Sequence, residues 1–164
     1  MSLSGVEIII ESENECIDFM GVKNPVGAFY PPKAVLIDIE TLDSLDERQI
    51  HAGLAEAIKM AITFSPALFD LIKSAKSLKD KLEDIIISSL QIKKFVVEQD
   101  EKEFGLGQVL NFGHTIGHAI EKNSDFKLFH GQCVAIGMVA AGELCVKRGL
   151  ISQDDLDNMK KLLA

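Results

Sequence analysis

The spacing of apolar residues after residue 46 limits the possible folds more than any other feature of this sequence. Apolar side chains recur there at helical intervals between capping and breaking residues. They predict six helices, at about 46–64, 66–75, 78–99, 108–123, 131–148 and 152–163. Only "VEIII" (residues 6–10) and "KAVLIDI" (residues 33–39) have the short, β-branched character of strands, and the Gly- and Pro-rich segment between them, residues 20–32, predicts a loop. The sequence therefore predicts a mainly α fold with one or two short N-terminal strands.

Length and composition fit one globular domain. With 164 residues, of which 47% are apolar, the chain can bury a sizeable core. We expect a single domain over residues 1–164, made of a strand-and-loop arm at 1–32 and a helical body at 33–164. The formal net charge of −8 would repel nucleic acid and anionic lipid, which argues against partners of either kind.

Cysteine usage and the chain start indicate the cytoplasm. The three cysteines are odd in number and form no CxxC pair, as is typical of reduced thiols. The first residues lack the basic start and apolar segment of a signal peptide. The longest apolar run, residues 133–141, is shorter than the roughly 20 residues that span a bilayer, so it predicts a buried helix.

Three of the four histidines, His114, His118 and His130, fall within one short window. On the predicted helix 108–123, Asn111, His114, His118 and Glu121 share one arc. The opposite arc is apolar and consists of Val109, Phe112, Ile116, Ala119 and Ile120. We expect the apolar arc to pack against the rest of the protein. The polar arc then faces water, a neighbouring polar surface or a functional site, and the sequence leaves these possibilities open.

Gly113 and Gly117 favour a site on that helix. Two glycines inside a helix cost roughly 1 kcal/mol each relative to alanine, so another interaction must offset them. Close approach of a ligand or of another backbone would do so. Glycines that serve helix packing alone are the alternative.

A metal ion is one candidate ligand. His114 and His118 are four residues apart and could bind the same ion, but catalytic Zn²⁺ typically takes three protein ligands. His130 is one candidate for the third ligand, because it opens the next predicted helix, where the helix dipole disfavours imidazolium. Glu56 is the other candidate, although a solvated ion pair with Lys59 explains it equally well.

Lys93 lies near the centre of the apolar arc of predicted helix 78–99. Burying an ammonium without a partner is strongly unfavourable. Either its stem reaches along the apolar surface to water or an anion binds it in a cleft, and both readings remain open.

Several motifs together resemble a known family. "GVKNPVGAFYPP", "AGLAEAIKM", "IKKFVVEQDEKEFG", "LNFGHTIGHAIE" and "FHGQCVAIGMVAA" occur in this order between about residues 21 and 150. They resemble the C-terminal domain of 3-dehydroquinate synthase, a member of the sugar-phosphate cyclases. Related cyclases such as 2-deoxy-scyllo-inosose synthase are the nearest alternatives.

The resemblance implies a helical domain that holds Zn²⁺ or Co²⁺ through Glu56, His114 and His130. It places His118 beside the phosphate of the substrate. The family residues that contact the substrate correspond to Lys59, Lys93 and Asn111. Those in the loop that borders the active site correspond to Lys23 and Asn24.

The reaction implied by the resemblance is that of a lyase in the shikimate pathway of aromatic amino acid biosynthesis. With NAD⁺ as cofactor, the family converts 3-deoxy-D-arabino-heptulosonate 7-phosphate, a small phosphorylated sugar acid, to 3-dehydroquinate and phosphate. Family members are commonly homodimers, so a homodimer is one expected assembly.

The chain departs from the family pattern at several positions. Asn14 stands where the family usually has lysine, Gly107 where it has arginine, and Gln132 where it has glutamate. We also expect the N-terminal NAD-binding domain to be absent, because nothing before Lys33 could form its βαβ unit. Three hypotheses therefore remain: the catalytic half of a synthase whose activity alone is doubtful, a non-catalytic metal-binding module of the same fold, and a purely structural helical domain.

Overall fold

The computed structural model describes residues 14–19, 22–29, 36–100, 104–124 and 127–164. The chain forms two compact units, residues 1–45 and residues 46–164.

The first unit contains a two-stranded antiparallel sheet. Strand β1 covers Asn14–Phe19 and strand β2 covers Val22–Phe29. Asn14 pairs with Phe29 and Phe19 pairs with Val22, with an irregularity between Ile17 and Phe19. A 3-10 helix, Ile39–Ser44, follows.

This unit differs from the sequence-based expectation in two places. The loop predicted at 20–32 is wrong over Val22–Phe29, which form β2; a two-stranded ribbon has unpaired edges where proline is tolerated. The strand predicted at 33–39 is wrong over residues 36–39, because Asp38 accepts a hydrogen bond from the Glu40 amide and starts the 3-10 helix. The strand predicted at 6–10 and residues 33–35 lie outside the described residues.

The second unit is helical and confirms the mainly α prediction. Its helices are α1 (Glu47–Phe64), α2 (Pro66–Ser74), α3 (Leu82–Gln99), α4 (His114–Asn123), α5 (His130–Lys147) and α6 (Gln153–Leu163). Two 3-10 helices, Lys79–Lys81 and Leu106–Asn111, precede α3 and α4. Within the described ranges, no helix is both long and apolar enough to cross a membrane.

Helix α1 lies at the centre of this unit. A capping box between Asp46 and Gln49 begins it, and every residue from Ala52 to Ala61 is buried. It packs against α2, α3, α5 and α6. Because neighbours surround its middle, charged residues in that stretch are enclosed as well.

Helices α4 and α5 cross with their backbones in close contact. Gly113, with φ of 84°, turns the chain into α4, and a Cβ on it would lie 2.6 Å from Met138 Cγ. A Cβ on Gly137 would lie 2.0 Å from the carbonyl oxygen of Gly113. Glycine is therefore required at both positions for the helices to meet as they do.

The same turn shows that the single helix predicted at 108–123 is wrong. The 3-10 helix Leu106–Asn111 ends first, and α4 begins only at His114. Gly113 therefore lies at a helix start and not in a helix interior, whereas Gly117 does lie inside α4. A Cβ on Gly117 would come within 3.1 Å of the Cys133 backbone, which explains that glycine by helix packing.

Candidate metal centre

The site begins with a buried carboxylate on α1. The Glu56 residue is 1% exposed and its Oε2 accepts a hydrogen bond from Lys59 Nζ at 2.5 Å. Lys59, one helical turn further along, is only 4% exposed. The alternative of a solvated Glu56–Lys59 ion pair is therefore wrong, since both partners are buried.

Electrostatics keep Glu56 ionised. Burial on its own would raise the pKa of Glu56, but the charge and hydrogen bond of Lys59 and the nearby His114 and His130 together outweigh burial, and the pKa is lowered. At neutral pH Glu56 is thus a carboxylate.

Two histidines approach the other oxygen of Glu56. His114 is the first residue of α4 and His130 is the first residue of α5. Their Nε2 atoms lie 3.6 and 3.8 Å from Glu56 Oε1. This oxygen is buried and accepts no hydrogen bond from any residue that the structure describes. One oxygen and two nitrogens therefore converge without bonding one another.

His114 is neutral at physiological pH. Burial, and then the nearby Lys59 ammonium, lower the pKa of His114 to about 4 against a partial opposing effect of Glu56. Its Nδ1 lies 3.4 Å from the carbonyl oxygen of Phe112. A proton on Nδ1 faces this acceptor, which leaves the lone pair on Nε2 directed towards Glu56.

The Nδ1 atom of His130 faces a second buried carboxylate. It lies 3.2 Å from Oε2 of Glu121, a residue of α4 that is 6% exposed. Sequence reasoning placed Glu121 on the polar arc of α4 but gave it no role. Glu121 could have been found from its helical position, because it shares an arc with His114, seven residues earlier, and with His118, three residues earlier.

His118 is the exposed member of the cluster. Its ring centroid lies 5.5 Å from that of His114 and 5.4 Å from that of His130, and its side chain is exposed. One nitrogen from each of the three rings can be chosen so that all lie within 4.8 Å of one another. The three histidines could together hold a metal ion, and Glu56 Oε1 reaches two of them, His114 and His130.

The expectation that the apolar arc packs while the polar arc faces water, a polar surface or a site is wrong only in part. Phe112 of the apolar arc does pack against the core. The buried residues of α4 are His114, Gly117 and Glu121, all on or beside the polar arc. Ala119 and Val109 of the apolar arc are exposed. The polar arc faces α5 because the glycines allow close backbone contact there and the histidines meet Glu56 on that side.

The other predicted site residues belong to α3, to the 3-10 helix before α4 and to β2. Lys93 is half-buried on α3 and forms no hydrogen bond or ion pair within 36–100, 104–124 and 127–164. Asn111 is exposed at the end of the 3-10 helix before α4. Lys23 and Asn24 are on β2, in the first unit. Gly107 is buried, and its amide donates to Asp100 Oδ2 at 2.8 Å.

A polar clamp joins the starts of α1 and α5. Arg48 Nη2 donates to Gln132 Oε1 at 3.0 Å and to the Lys127 carbonyl at 3.2 Å. Gln132 Oε1 also accepts from the Phe129 amide at 3.1 Å, and the Arg48 guanidinium lies 4.7 Å from the Phe129 ring centroid. The clamp therefore fixes the segment that leads into His130.

Sequence comparisons identify the family. Residues 53–164 match the family described as 3-dehydroquinate synthase C-terminal, and residues 12–52 match that described as 3-dehydroquinate synthase N-terminal. The chain belongs to the 3-dehydroquinate synthase family. It is 46% identical over 142 residues to the 3-dehydroquinate synthase of Campylobacter concisus (strain 13826), covering 86% of this chain and 41% of that protein. With the Pelobacter propionicus 3-dehydroquinate synthase it shares 45% identity over 153 residues, or 90% of this chain and 43% of that protein.

Solved structures of related enzymes share the fold of this family member. The 2-deoxy-scyllo-inosose synthase complexed with carbaglucose-6-phosphate, NAD⁺ and Co²⁺ has a TM-score of 0.86 at 28% identity, covering 98% of this chain and 46% of that one. The 2-epi-5-epi-valiolone synthase from Streptomyces hygroscopicus subsp. jinggangensis, with NAD⁺ and Zn²⁺ bound, has a TM-score of 0.85 at 26% identity and covers 96% and 48%. The chain thus spans less than half the length of these relatives.

Proposed function

We propose that this chain forms the metal- and substrate-binding part of a 3-dehydroquinate synthase. The reaction is the NAD⁺-dependent conversion of 3-deoxy-D-arabino-heptulosonate 7-phosphate to 3-dehydroquinate with release of phosphate. Identities of 44–46% to curated 3-dehydroquinate synthases support this activity over other cyclase activities. Because the chain spans only 41% of such a relative, turnover by this chain alone is a separate question.

The convergence of Glu56 Oε1 with the Nε2 atoms of His114 and His130 carries this proposal. Two ligand atoms at about 2.1 Å from a tetrahedral ion lie about 3.4 Å apart. The observed distances of 3.6 and 3.8 Å are close to that value, and the carboxylate oxygen accepts no hydrogen bond within the described residues. One carboxylate and two imidazoles suit Zn²⁺ or Co²⁺.

Each residue then has a specific task. Glu56, His114 and His130 hold the ion, which supplies Lewis-acid polarisation of a substrate hydroxyl or ketone when bound. Lys59 balances the Glu56 charge and offers a donor to the substrate. His118, exposed beside the ligands, lies on the side from which a phosphorylated substrate could enter and can donate to its phosphate.

The other assignments rest on the family resemblance. Lys93 and Asn111 contact the substrate, and Lys23 and Asn24 border the site. NAD⁺ is bound in the related structures, and no residue of this site is assigned to it. We further propose a cytoplasmic protein, with a homodimer or a preceding NAD-binding domain as its partner. The division into one domain over 1–164 stays a prediction.

Metal loading tests whether Glu56, His114 and His130 form a metal site. The purified chain should retain about one Zn²⁺ or Co²⁺ per molecule after incubation and desalting, as measured by elemental analysis. Glu56→Gln should lose it, because a neutral amide replaces the anionic ligand. Glu143→Gln, a change on the exposed part of α5, is the matched control. A wild-type chain that stays metal-free would rule out the proposed centre.

Each of two alternative functions is supported by an observation. The TM-score of 0.86 to 2-deoxy-scyllo-inosose synthase favours a related sugar-phosphate cyclase as second candidate. Gly107 and Asn14 replace charged family residues, which favours a non-catalytic metal-binding module. Phosphate release from the heptulosonate and from glucose 6-phosphate, each with NAD⁺, separates the activities. Metal binding without turnover of either substrate, in a protein supplemented with a family NAD-binding domain, supports the module.

A further inference from the structure

We propose that Glu121 is a positioning residue for the metal centre: it accepts a hydrogen bond from Nδ1 of His130 and so directs Nε2 of that ring to the ion. The inference rests on the proposed role of His130 as a ligand. It adds a residue of α4 to the machinery, outside the three ligands and the substrate contacts.

The geometry places the carboxylate directly behind the ligand ring. Glu121 Oε2 lies 3.2 Å from His130 Nδ1, on the side of the ring away from Glu56. The side chains of Glu121 and His130 are 8% and 9% exposed, so water has little access to compete for the contact. A carboxylate that accepts from the far nitrogen of a ligating histidine fixes the ring orientation and raises its basicity towards the metal.

The hydrogen bond also selects the tautomer. A carboxylate can only accept, so the proton of a neutral His130 must sit on Nδ1. The lone pair is then on Nε2, the atom that lies 3.8 Å from Glu56 Oε1. Without Glu121, the ring could place its proton on Nε2 and would have to lose it before binding the ion.

His114 provides an internal contrast. Its Nδ1 faces the main-chain carbonyl of Phe112 at 3.4 Å, an acceptor that no side-chain substitution removes. The contact behind His130 is shorter and comes from a side chain. The orientation of His130 is therefore the one that a single substitution can change.

A purely structural role for Glu121 predicts a different result. The pair joins α4 to α5, so a structural role predicts that its loss lowers the free energy of unfolding and leaves zinc affinity in the folded protein unchanged. A positioning role predicts weaker zinc binding even in a variant that keeps the shape of the side chain. Glu121→Gln is that variant, because its amide oxygen can still accept from Nδ1 but carries no charge.

The experiment compares wild type, Glu121→Gln, Glu121→Ala and the control Glu143→Gln in the full chain. Zinc dissociation constants are measured by competition with a chromophoric chelator, and visible absorption spectra are recorded for the Co²⁺-loaded proteins. We expect Glu121→Gln to weaken zinc binding about 10-fold and Glu121→Ala about 100-fold. Both variants should alter the Co²⁺ absorption bands, and Glu143→Gln should match wild type.

Histidine nitrogen NMR on metal-free protein gives a second readout, free of any effect of the variants on metal loading. His130 should show its proton on Nδ1 in wild type and a mixture of tautomers in Glu121→Ala. Wild-type zinc affinity in both Glu121 variants, or a proton on Nε2 of His130 in wild type, would overturn this inference and leave the proposed centre intact. A wild-type chain that binds no zinc would instead overturn the proposed function and this inference together.

Discussion

Two regions that meet along α5 differ in the kind of side chain that they bury. The first, which we call the histidine junction, consists of Glu56, Lys59, His114, Glu121 and His130 and buries titratable groups. The second, which we call the α5–α6 cluster, consists of the buried residues Val134, Met138, Leu156 and Met159. One helix thus contributes a polar surface at its start and an apolar surface further along.

The difference shows where the stability and the chemistry of the unit come from. Apolar burial in the α5–α6 cluster stabilises the fold, at roughly 25 cal/mol for each Å² removed from water. Burial of charges in the histidine junction has a desolvation cost that only their mutual contacts offset. We therefore expect substitutions in the cluster to change unfolding without changing metal binding, and substitutions of the polar groups in the junction to change metal binding more than unfolding.

The largest expected effect comes from adding one methyl group where α4 and α5 are closest. A Cβ on Gly137 would lie 2.0 Å from the Gly113 carbonyl oxygen, so Gly137→Ala must push α4 and α5 apart. We expect a loss of about 4 kcal/mol or more in the free energy of unfolding, above the usual cost of overpacking, with loss of metal binding. Urea denaturation and zinc titration measure the two effects.

Gly142→Ala is the matched control in the same helix. Its Cβ would meet Met159 Cε at 2.5 Å and Leu156 Cδ1 at 2.8 Å, the flexible ends of two side chains in the α5–α6 cluster. Because these ends can move and alanine favours the helix by about 1 kcal/mol, the net change should stay within about 1 kcal/mol. Equal losses in the two variants would show that the α4–α5 crossing is no more tightly packed than the cluster.

The next effect tests the cluster itself. Leu156 is 2% exposed, so Leu156→Ala should lower the free energy of unfolding by about 3 kcal/mol through lost burial and a residual cavity. Zinc affinity of the folded protein should remain at the wild-type value. Denaturation in chelator, followed by zinc titration below the unfolding transition, checks both parts. A tenfold weaker zinc affinity would contradict the separation of the two regions.

The sequence predicted the cluster better than the junction. Except at the start of α4, the helices could be placed from apolar spacing and caps, and residues 133–141 were correctly expected to be helical, although Ile136 among them is exposed. The same spacing misjudged α4, where His114 and Glu121 are buried while Ala119 is exposed. Periodicity assumes that apolar side chains make the contacts, but here glycines bring the backbones together.

The parts of the site that could not be predicted depend on contacts between distant segments. Family motifs pointed to Glu56, His114 and His130, and the structure places these three together. The left-handed turn at Gly113 and the partner behind His130 arise only when α4 crosses α5. The Val22–Phe29 strand was missed for a similar reason, since pairing with β1 outweighed its Pro25 and Gly27 loop signals.

A pH effect of intermediate size should distinguish the junction from the cluster. His114 has a pKa of about 4 in the folded protein, against an ordinary value of 6.5. Between these values the unfolded chain binds a proton that the folded chain does not, so stability falls as pH drops from 6.5 towards 4 and is unaffected above. This group should contribute a slope of at most about 1.4 kcal/mol per pH unit in chelator.

Denaturation at several pH values, with and without substitution, measures this slope. His114→Asn should remove this contribution, whereas Leu156→Ala should keep it while lowering the whole curve. An unchanged slope in His114→Asn would assign the acid sensitivity to other groups.

The smallest expected effect lies at the rim of the histidine junction, in the clamp between Arg48 and Gln132. All three hydrogen bonds to Gln132 Oε1, two from Arg48 and one from the Phe129 amide, survive in Gln132→Glu, which adds a charge opposite the guanidinium. Because Arg48 is exposed, the new ion pair should add only about 0.5 kcal/mol to the free energy of unfolding. Arg48→Ala should cost about 1 kcal/mol and cancel the gain from Gln132→Glu, since the added carboxylate then has no guanidinium to pair with. Thermal unfolding of wild type, the two single variants and the double variant measures the coupling between residues 48 and 132. A stability gain from Gln132→Glu that persists in Arg48→Ala would mean that the clamp does not act through the pairing of these two side chains.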